Sequence, residues 1–172
     1  MEEKTLIEKL KSNDENSFRI LVDLFKKKVF NTSLSIIQNI DDADDISQDV
    51  FIQIFKSINK FKGNSSLSTW IYKITISKSF EYIRFKKRKK RFSTLLKLFR
   101  EDGSIIDIPD FIHPGILLER KEDSKLLFEA IEKLNQYQKQ AYILKNITGL
   151  SYKEIADVMD KTTSSIESLI FR

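Results

Sequence analysis

An all-α fold in two small domains joined by a linker is what this sequence predicts, on three observations. First, the 172 residues hold only 4 Gly and 2 Pro, little material for hairpins, while Lys, Glu, Leu and Ile dominate. Second, apolar residues recur at helical spacing along most of the chain. Third, residues 92–115 change character, carrying both prolines and two of the four glycines. Those boundaries divide the chain into a domain over 1–91, a linker over 92–115 and a domain over 116–172, two helical units expected to share no core.

Composition excludes several classes. Hydrophobic residues make up 41%, enough for a core in either unit. With no Cys, disulfides and thiolate zinc sites are ruled out, and a single histidine, His113, cannot supply a zincin pair. Lys and Arg number 30 against 25 Asp and Glu, a net charge of +5 that permits a polyanionic partner without demanding one. No apolar run reaches membrane-spanning length, and the opening MEEKTLIEKL lacks a signal peptide's apolar core. A cytoplasmic protein with no membrane insertion of its own is expected. No Ser-His-Asp set, phosphate-binding Gly-Lys-Ser/Thr loop or H-E-x-x-H pair occurs, so neither catalysis nor a cofactor is expected.

In chain order, residues 3–11 read as a short helix with Leu6, Ile7 and Leu10 on one side, and Ser12-Asn13-Asp14 as a break and cap. A helix follows from about Glu15 to Gln38, with Phe18, Leu21, Val22, Phe25, Val29, Leu34, Ile36 and Ile37 as its apolar positions. In the next, Asp41, Asp42, Asp44 and Asp45 crowd the first turn, where negative charge suits the helix dipole. Its buried face is expected to hold Ile46, Val50, Phe51, Ile54, Phe55 and Ile58. Spacing alone favours reading those aspartates as a solvated, well-capped helix start over a surface for a basic or polar partner. Phe61 to Ser66 is a Gly-containing loop, and Ser68 or a neighbour caps a long helix ending at Arg91. Its basic end, with Phe61, Trp70, Tyr72, Phe80, Tyr82 and Phe85 interleaved before it, could hold phosphates and stacked bases. The same pattern also fits a solvated face and ordinary core aromatics.

The second half begins with a linker that has one turn of helix near Leu95–Phe99 and a turn at His113-Pro114. A helix from Gly115 to about Leu134 and another from Gln138 to Thr148 follow, the latter with Ala141, Tyr142, Leu144 and Ile147 inward. Gly149 can take positive φ and end it. Ser151 and Glu154 have capping-box spacing, Asp160 suits a left-handed turn, and Thr162 can cap a last helix. Ile155, Val158, Met159, Ile166, Leu169 and Ile170 face inward and small Ala156 admits a close crossing. The pattern fits a DNA-binding helix-turn-helix, whose second helix enters the major groove, or an ordinary helical hairpin.

One resemblance takes in nearly the whole chain. DADDISQDVFIQIFKSINKF, then FKGNSSLSTWIYKI, then a basic helix end resembles region two of the sigma factors of bacterial RNA polymerase. The stretch from His113 to Arg172 resembles their region four. The layout without an intervening domain is similar to the extracytoplasmic-function group of the sigma-70 family.

That resemblance implies a protein that binds core RNA polymerase and directs promoter-specific initiation. Asp41, Asp44, Asp45, Gln48, Asp49, Phe51 and Gln53 would dock on the polymerase. Lys62, Asn64, Ser65, Ser66, Leu67, Trp70, Lys73, Ser77, Lys78, Arg84, Lys87 and Arg88 would capture and hold the melted minus-ten element of promoter DNA. Thr163, Ser164, Ser165, Glu167, Ser168, Phe171 and Arg172 would read the minus-thirty-five element. An anti-sigma factor covering the Asp41–Phe55 helix and the 151–172 unit is a further implied partner. The sequence departs from the family pattern at Thr75 and Ser77, where Ala and Asn are usual, and at Glu167, where a basic residue is usual. The chain also stops inside the last helix, where members usually continue with further basic residues, so either the C-terminus is cut short or DNA binding by this end is weak. Two other functions fit the residues alone: a stand-alone helix-turn-helix regulator, and a helical adaptor binding RNA or an acidic protein.

Overall fold

Helix ends are set by local polar residues throughout this chain. In a computed structural model, which describes residues 2–98, 127 and 129–171, helix α1 spans Glu3–Lys11. Asn13 takes φ 58° and Asp14 then caps α2 (Glu15–Ile37), its carboxylate accepting the Ser17 N–H at 2.7 Å. The hydrogen bonds at Ser17 hold the Asp14 carboxyl below its ordinary value. Gln38 ends α2 in the left-handed region at φ 58°, and Asn39 caps α3 (Ile40–Ser57) by accepting the Asp42 N–H at 2.9 Å.

A 3₁₀ turn over Ile58–Lys60 leads to the loop before α4 (Leu67–Leu98). The cap of α4 is Ser66, a near neighbour of Ser68 as expected, whose hydroxyl accepts the Thr69 N–H at 3.1 Å. Glu3 supports the same end from α1 by accepting the Leu67 N–H at 3.0 Å. α4 also runs beyond Arg91. It takes the expected turn at 95–98 into one continuous helix, while Phe99 and the rest of the linker lie outside the described residues.

Helices α2, α3 and α4 pack on one another with α1 laid across α2. Leu6, Leu10, Leu21, Val29, Ile46, Val50, Ile54, Ile58, Phe61, Leu67 and Ile71 form their shared core. Phe55 does not join it. It is 51% exposed and packs in a T-shaped arrangement with Phe18, ring centroids 5.3 Å apart. The apolar stripe of α3 is wider than the face its neighbours cover. Small hydroxyl residues line the close approach of α2 to α4, where the Ser33 and Ser79 hydroxyls meet at 3.4 Å. Thr32 and Ser35 satisfy their buried hydroxyls on carbonyls one turn back in α2.

Of the helix expected over 115–134, residues 129–133 are described as helical. Asn135 then forms a capping box with Gln138 and starts α5 (Gln136–Tyr142), two residues earlier than expected. α5 passes into a π turn over Ile143–Ile147, closed by the Thr148 N–H on the Ile143 carbonyl. The extra residue in that turn advances the buried face. Ile143 and Leu144 are consequently both buried, while Tyr142 and Ile147 are only partly so. Gly149, at φ 74°, lets the Leu150 N–H reach back to the Leu144 carbonyl and ends the segment. Helices α6 (Tyr152–Met159) and α7 (Thr163–Ile170) follow. The described residues contain no strand.

The expectation of two units without a common core is overturned in this structure. Ile36 of α2 and Tyr72, Ile76 and Phe80 of α4 are buried in one cluster with Ile143, Leu144, Leu150, Ile155, Val158 and Ile166. Tyr72, Ile76 and Phe80 stand at successive four-residue steps along α4, a second apolar stripe on a helix already buried on another side. A polar link reinforces the contact: Glu132 pairs with the nearly buried Lys139 and accepts from Gln38 at 3.0 Å. Burial removes each apolar side chain from water at about 25 cal/mol per Å², which holds the units together.

Candidate nucleic-acid interface

The loop before α4 is held from below. Phe61 is buried, and its ring lies 5.0 Å from that of Trp70 at an interplanar angle of 41°. Trp70 is itself half-buried against the first core. Leu67, one of the candidate contacts to DNA, is 2% exposed and points into that core. Ser66 spends its hydroxyl on the helix cap and on Thr69. What the loop presents outward is Lys62, Gly63 (φ 74°), Asn64 and Ser66, with Ser65 half-buried. Trp70 and Leu67 shape the loop from beneath.

Along α4, Ser77, Arg84, Lys87 and Arg88 are exposed and Lys78 is half-buried. Ser77 donates to Glu81 at 3.3 Å. Lys78, Arg84 and Arg88 border one cleft of about 470 Å³ with Asp49 of α3. Lys86 turns the other way and pairs with Asp42 at the start of α3, its ammonium 5.2 Å from the Tyr82 ring. The hydrogen bond to Asp42 raises the Lys86 pKa, and burial together with the Asp42 carboxylate raises that of Tyr82. The acidic start of α3 thus clamps the basic part of α4 in place. Sequence reasoning missed this role, because Asp42 and Lys86 lie 44 residues apart.

On α3 the polar candidates gather on the outer side. Asp41, Asp44, Asp45, Gln48 and Asp49 are exposed, and Phe51 and Gln53 are half-buried. Gln48 donates to Asp44 at 2.9 Å. A groove of about 670 Å³ runs between this side and α2, lined by Phe30 and Phe51 with Lys26, Lys27, Asp44 and Gln48 at its edges. An apolar floor with charged edges is the layout of a docking groove for another protein's helix.

In the second unit Ser151 and Glu154 form the expected capping box, and the bonds from Ser151 hold the Glu154 carboxyl below its usual value. Asp160 takes φ 52° and ψ 48° at the turn, and Thr162 caps α7 by accepting the Ser165 N–H at 3.2 Å. Ile166 is fully buried and anchors α7. Thr163, Ser164, Ser165, Glu167 and Ser168 are exposed, and Phe171 is 79% exposed; Arg172 lies outside the described residues. This is the geometry of a helix-turn-helix with a polar second helix. Lys73 is not turned to solvent alone: Asp160 of the helix-turn-helix receives its ammonium on both oxygens, at 2.6 and 2.5 Å.

Among the described residues no cluster of three His, Cys, Asp or Glu could hold a metal ion, and no helix is long and apolar enough to cross a membrane.

Comparison with known proteins agrees with this arrangement. The family model described as Sigma-70 region 2 matches residues 21–89, and that described as Sigma-70, region 4 matches residues 124–172. The chain is 28% identical over 174 aligned positions to the ECF RNA polymerase sigma-E factor of Haemophilus influenzae, covering 99% of this chain and 90% of that one. It is equally identical to the protein of the same name from Escherichia coli K12, with 99% and 89% covered. Two solved structures share the fold. One is CnrH in complex with the cytosolic domain of CnrY (TM-score 0.69, 18% identity, 99% and 90% covered). The other is the sigma factor RpoE in complex with the anti-sigma factor NepR from Bartonella quintana (TM-score 0.69, 22% identity, 90% of each chain covered).

Proposed function

The chain belongs to the sigma-70 family, in its extracytoplasmic-function group, and on that premise we propose how its surfaces divide the work of a sigma factor. It directs promoter-specific transcription initiation by core RNA polymerase. The observation that carries the division of labour is spatial: the acidic side of α3, the loop before α4 and the exposed cations of α4 lie on one rigid three-helix unit. A protein-docking groove and a strand-binding surface are then fixed relative to each other.

In this reading Asp44, Asp45, Gln48, Asp49 and Phe51 dock on the polymerase. Lys62, Asn64 and Ser65 meet an unstacked base of the minus-ten element. Extruding a base costs a few kcal/mol, which hydrogen bonds at the loop and neutralised phosphates along α4 offset. Lys78, Arg84, Lys87 and Arg88 hold those phosphates. The exposed side of α7 reads the minus-thirty-five element, with Glu167 placed to accept from a cytosine amino group. The chain performs no chemistry of its own and works in the cytoplasm with the polymerase. An inhibitory partner fits the same surfaces, since RpoE of Bartonella quintana and CnrH were both solved bound to another protein.

The test is co-elution with core RNA polymerase on size-exclusion chromatography. The parental chain should co-elute, and the double variant Asp45→Lys/Asp49→Lys should elute free while keeping its helical circular dichroism, since exposed substitutions shift stability by only about ±0.5 kcal/mol. A parental chain that stays free of core enzyme while binding an operator duplex tightly would return the protein to the stand-alone regulators.

A further inference from the structure

We propose that α1 is a positioning element of the loop before α4, and that Glu3 is the residue through which it sets base preference there. The inference rests on reading that loop as the reader of the minus-ten element. Its ground is a hydrogen bond between residues 64 positions apart: the Glu3 carboxylate accepts the Leu67 N–H at 3.0 Å. α1 itself lies ahead of residues 21–89, the part of the chain that matches sigma region 2.

The spacing along α1 explains how the carboxylate arrives there. Glu3, Leu6 and Leu10 stand at steps of three and four residues, so they share one face of the helix. Leu6 and Leu10 are 5% and 3% exposed, in one core with Ile58, Phe61, Leu67 and Ile71. Those two leucines lay α1 beside the 3₁₀ turn that feeds the loop. Glu3, exposed at the open end of the same face, then reaches across to the first residue of α4. That residue's N–H is one of the donors that a helix start leaves without an intrahelical partner. A carboxylate suits it, because the positive end of the helix dipole lies there and the bond is charge-assisted.

The peptide unit between Ser66 and Leu67 is thereby held on both sides. Its N–H is bound by Glu3, and its carbonyl accepts the Trp70 N–H at 3.1 Å. The Ser66 hydroxyl takes the Thr69 N–H as well, so cap and carboxylate divide the donors of the first turn. At the other end of the loop the Phe61 N–H bonds to the Ile58 carbonyl at 3.0 Å, and the Phe61 ring lies on Trp70. Between these anchors the loop has weaker support. Ser65 donates to the Ser66 carbonyl at 3.4 Å, a long contact, and Gly63 takes φ 74° with open space where a side chain would stand. The orientation of Asn64 and Ser65 towards a base edge therefore follows from where the ends are fixed. The buried Leu67 side chain sets the position of the second anchor, and Glu3 sets the rotation of its peptide plane. A loop ordered before the base arrives loses less freedom on binding. Donors and acceptors held in one orientation also reject the wrong base edge, where mobile ones adapt to it.

Glu3→Ala set against Glu3→Gln tests this. Both variants lose the charge, so any change in repulsion of DNA phosphates is common to them, but Gln keeps an oxygen that accepts the Leu67 N–H. The assay uses the full chain in complex with core polymerase and a single-stranded oligodeoxynucleotide library randomised over a short central run, with the bound fraction sequenced. Base discrimination, the ratio of enrichment between the preferred base and its competitors, should fall about two- to ten-fold in Glu3→Ala, the range that loss of one hydrogen bond spans. Glu3→Gln should keep the parental ratio. Acrylamide quenching of Trp70, the single tryptophan, should rise in Glu3→Ala alone, while both variants keep their helical circular dichroism because Leu6 and Leu10 still hold α1. A parental ratio in Glu3→Ala would overturn the proposal, whatever its melting temperature. So would an equal loss in both variants, which would make Glu3 a matter of charge. Asn64→Ala in the same assay separates the proposal from the reading beneath it. An unchanged profile there would count against the loop as the reader of the minus-ten element, whereas a changed profile there with a parental one in Glu3→Ala would overturn the role of Glu3 alone.

Discussion

The two candidate DNA surfaces differ in how they carry charge. From Arg84 to Arg91 every residue but Phe85 is basic, whereas α7 over Thr163–Ile170 has no basic residue and one acidic one, Glu167. Phosphate contacts supply affinity and fix position, while base contacts supply specificity. On the proposed assignment, the first surface carries charge suited to the former and the second carries polar side chains suited to the latter. The supporting structure differs in the same sense. The first unit has its own deep core, from Leu6 to Ile71, and the second completes its core with four side chains of the first. The loop before α4 and the cations of α4 stand on a unit with a complete core, whereas α7 stands on a unit whose core depends on its neighbour.

The largest expected effect tests whether the units are coupled. Leu144 and Ile54 are both fully buried, one in each cluster, and replacing either with Ala should cost about 2–5 kcal/mol. With the clusters in contact through Ile36, Tyr72, Ile76 and Phe80, either variant should lower a single cooperative melting transition of the free chain. Two separate transitions, with each variant shifting only one, would break the coupling.

A contrast in salt dependence sharpens the division between affinity and specificity. Replacing Arg84, Lys87 and Arg88 with Gln should flatten the plot of log affinity against log salt for single-stranded promoter DNA by about 2, at roughly 0.7 per phosphate contact. Glu167→Gln should leave that slope unchanged and instead alter discrimination at one base pair of the minus-thirty-five element by about 1–3 kcal/mol. Equal slopes for parent and triple variant would remove the basic run from the DNA surface. An unchanged base preference would remove Glu167 from the reading set.

Much of this was legible in the sequence wherever the controlling interaction is local. The capping box at Ser151 and Glu154, the left-handed Asp160 and the Thr162 cap all act within four residues, and the turn between α6 and α7 was placed by them. Local signals placed the cap of α4 only to within a few residues where several serines offered the same chemistry, and the cap is Ser66. Periodicity failed where the helix changes pitch: the π turn at Ile143–Ile147 moves the inward face by one residue and buries Ile143. It failed also at Phe55, which has helical spacing but is left 51% exposed. Contacts between distant residues carried no sequence signal at all. The Lys73–Asp160 pair spans 87 positions and the Lys86–Asp42 pair 44, so the shared core and the clamp on α4 emerged only with the fold.

The smallest effect concerns the start of α6. Ser151→Ala should destabilise the chain by about 1 kcal/mol through loss of the cap. The pH dependence has a definite sign. The Glu154 carboxyl titrates below its ordinary 4.5 when folded, so its contribution is complete above the unfolded value and is lost as pH falls through the folded one. Urea melts between pH 6 and pH 3 should show a smaller acid loss in Ser151→Ala than in the parent. A parallel loss in both would mean that the Ser151 bonds do not govern Glu154.

The central claim is that one chain confers promoter specificity on a polymerase that lacks it. It is tested most directly by run-off transcription from genomic promoter fragments with core RNA polymerase, with and without the chain. The account predicts defined start sites only when the chain is present, and their loss when the minus-ten element upstream of a start is scrambled. Transcripts that begin at the same places without the chain, or that survive scrambling of the element, would contradict it.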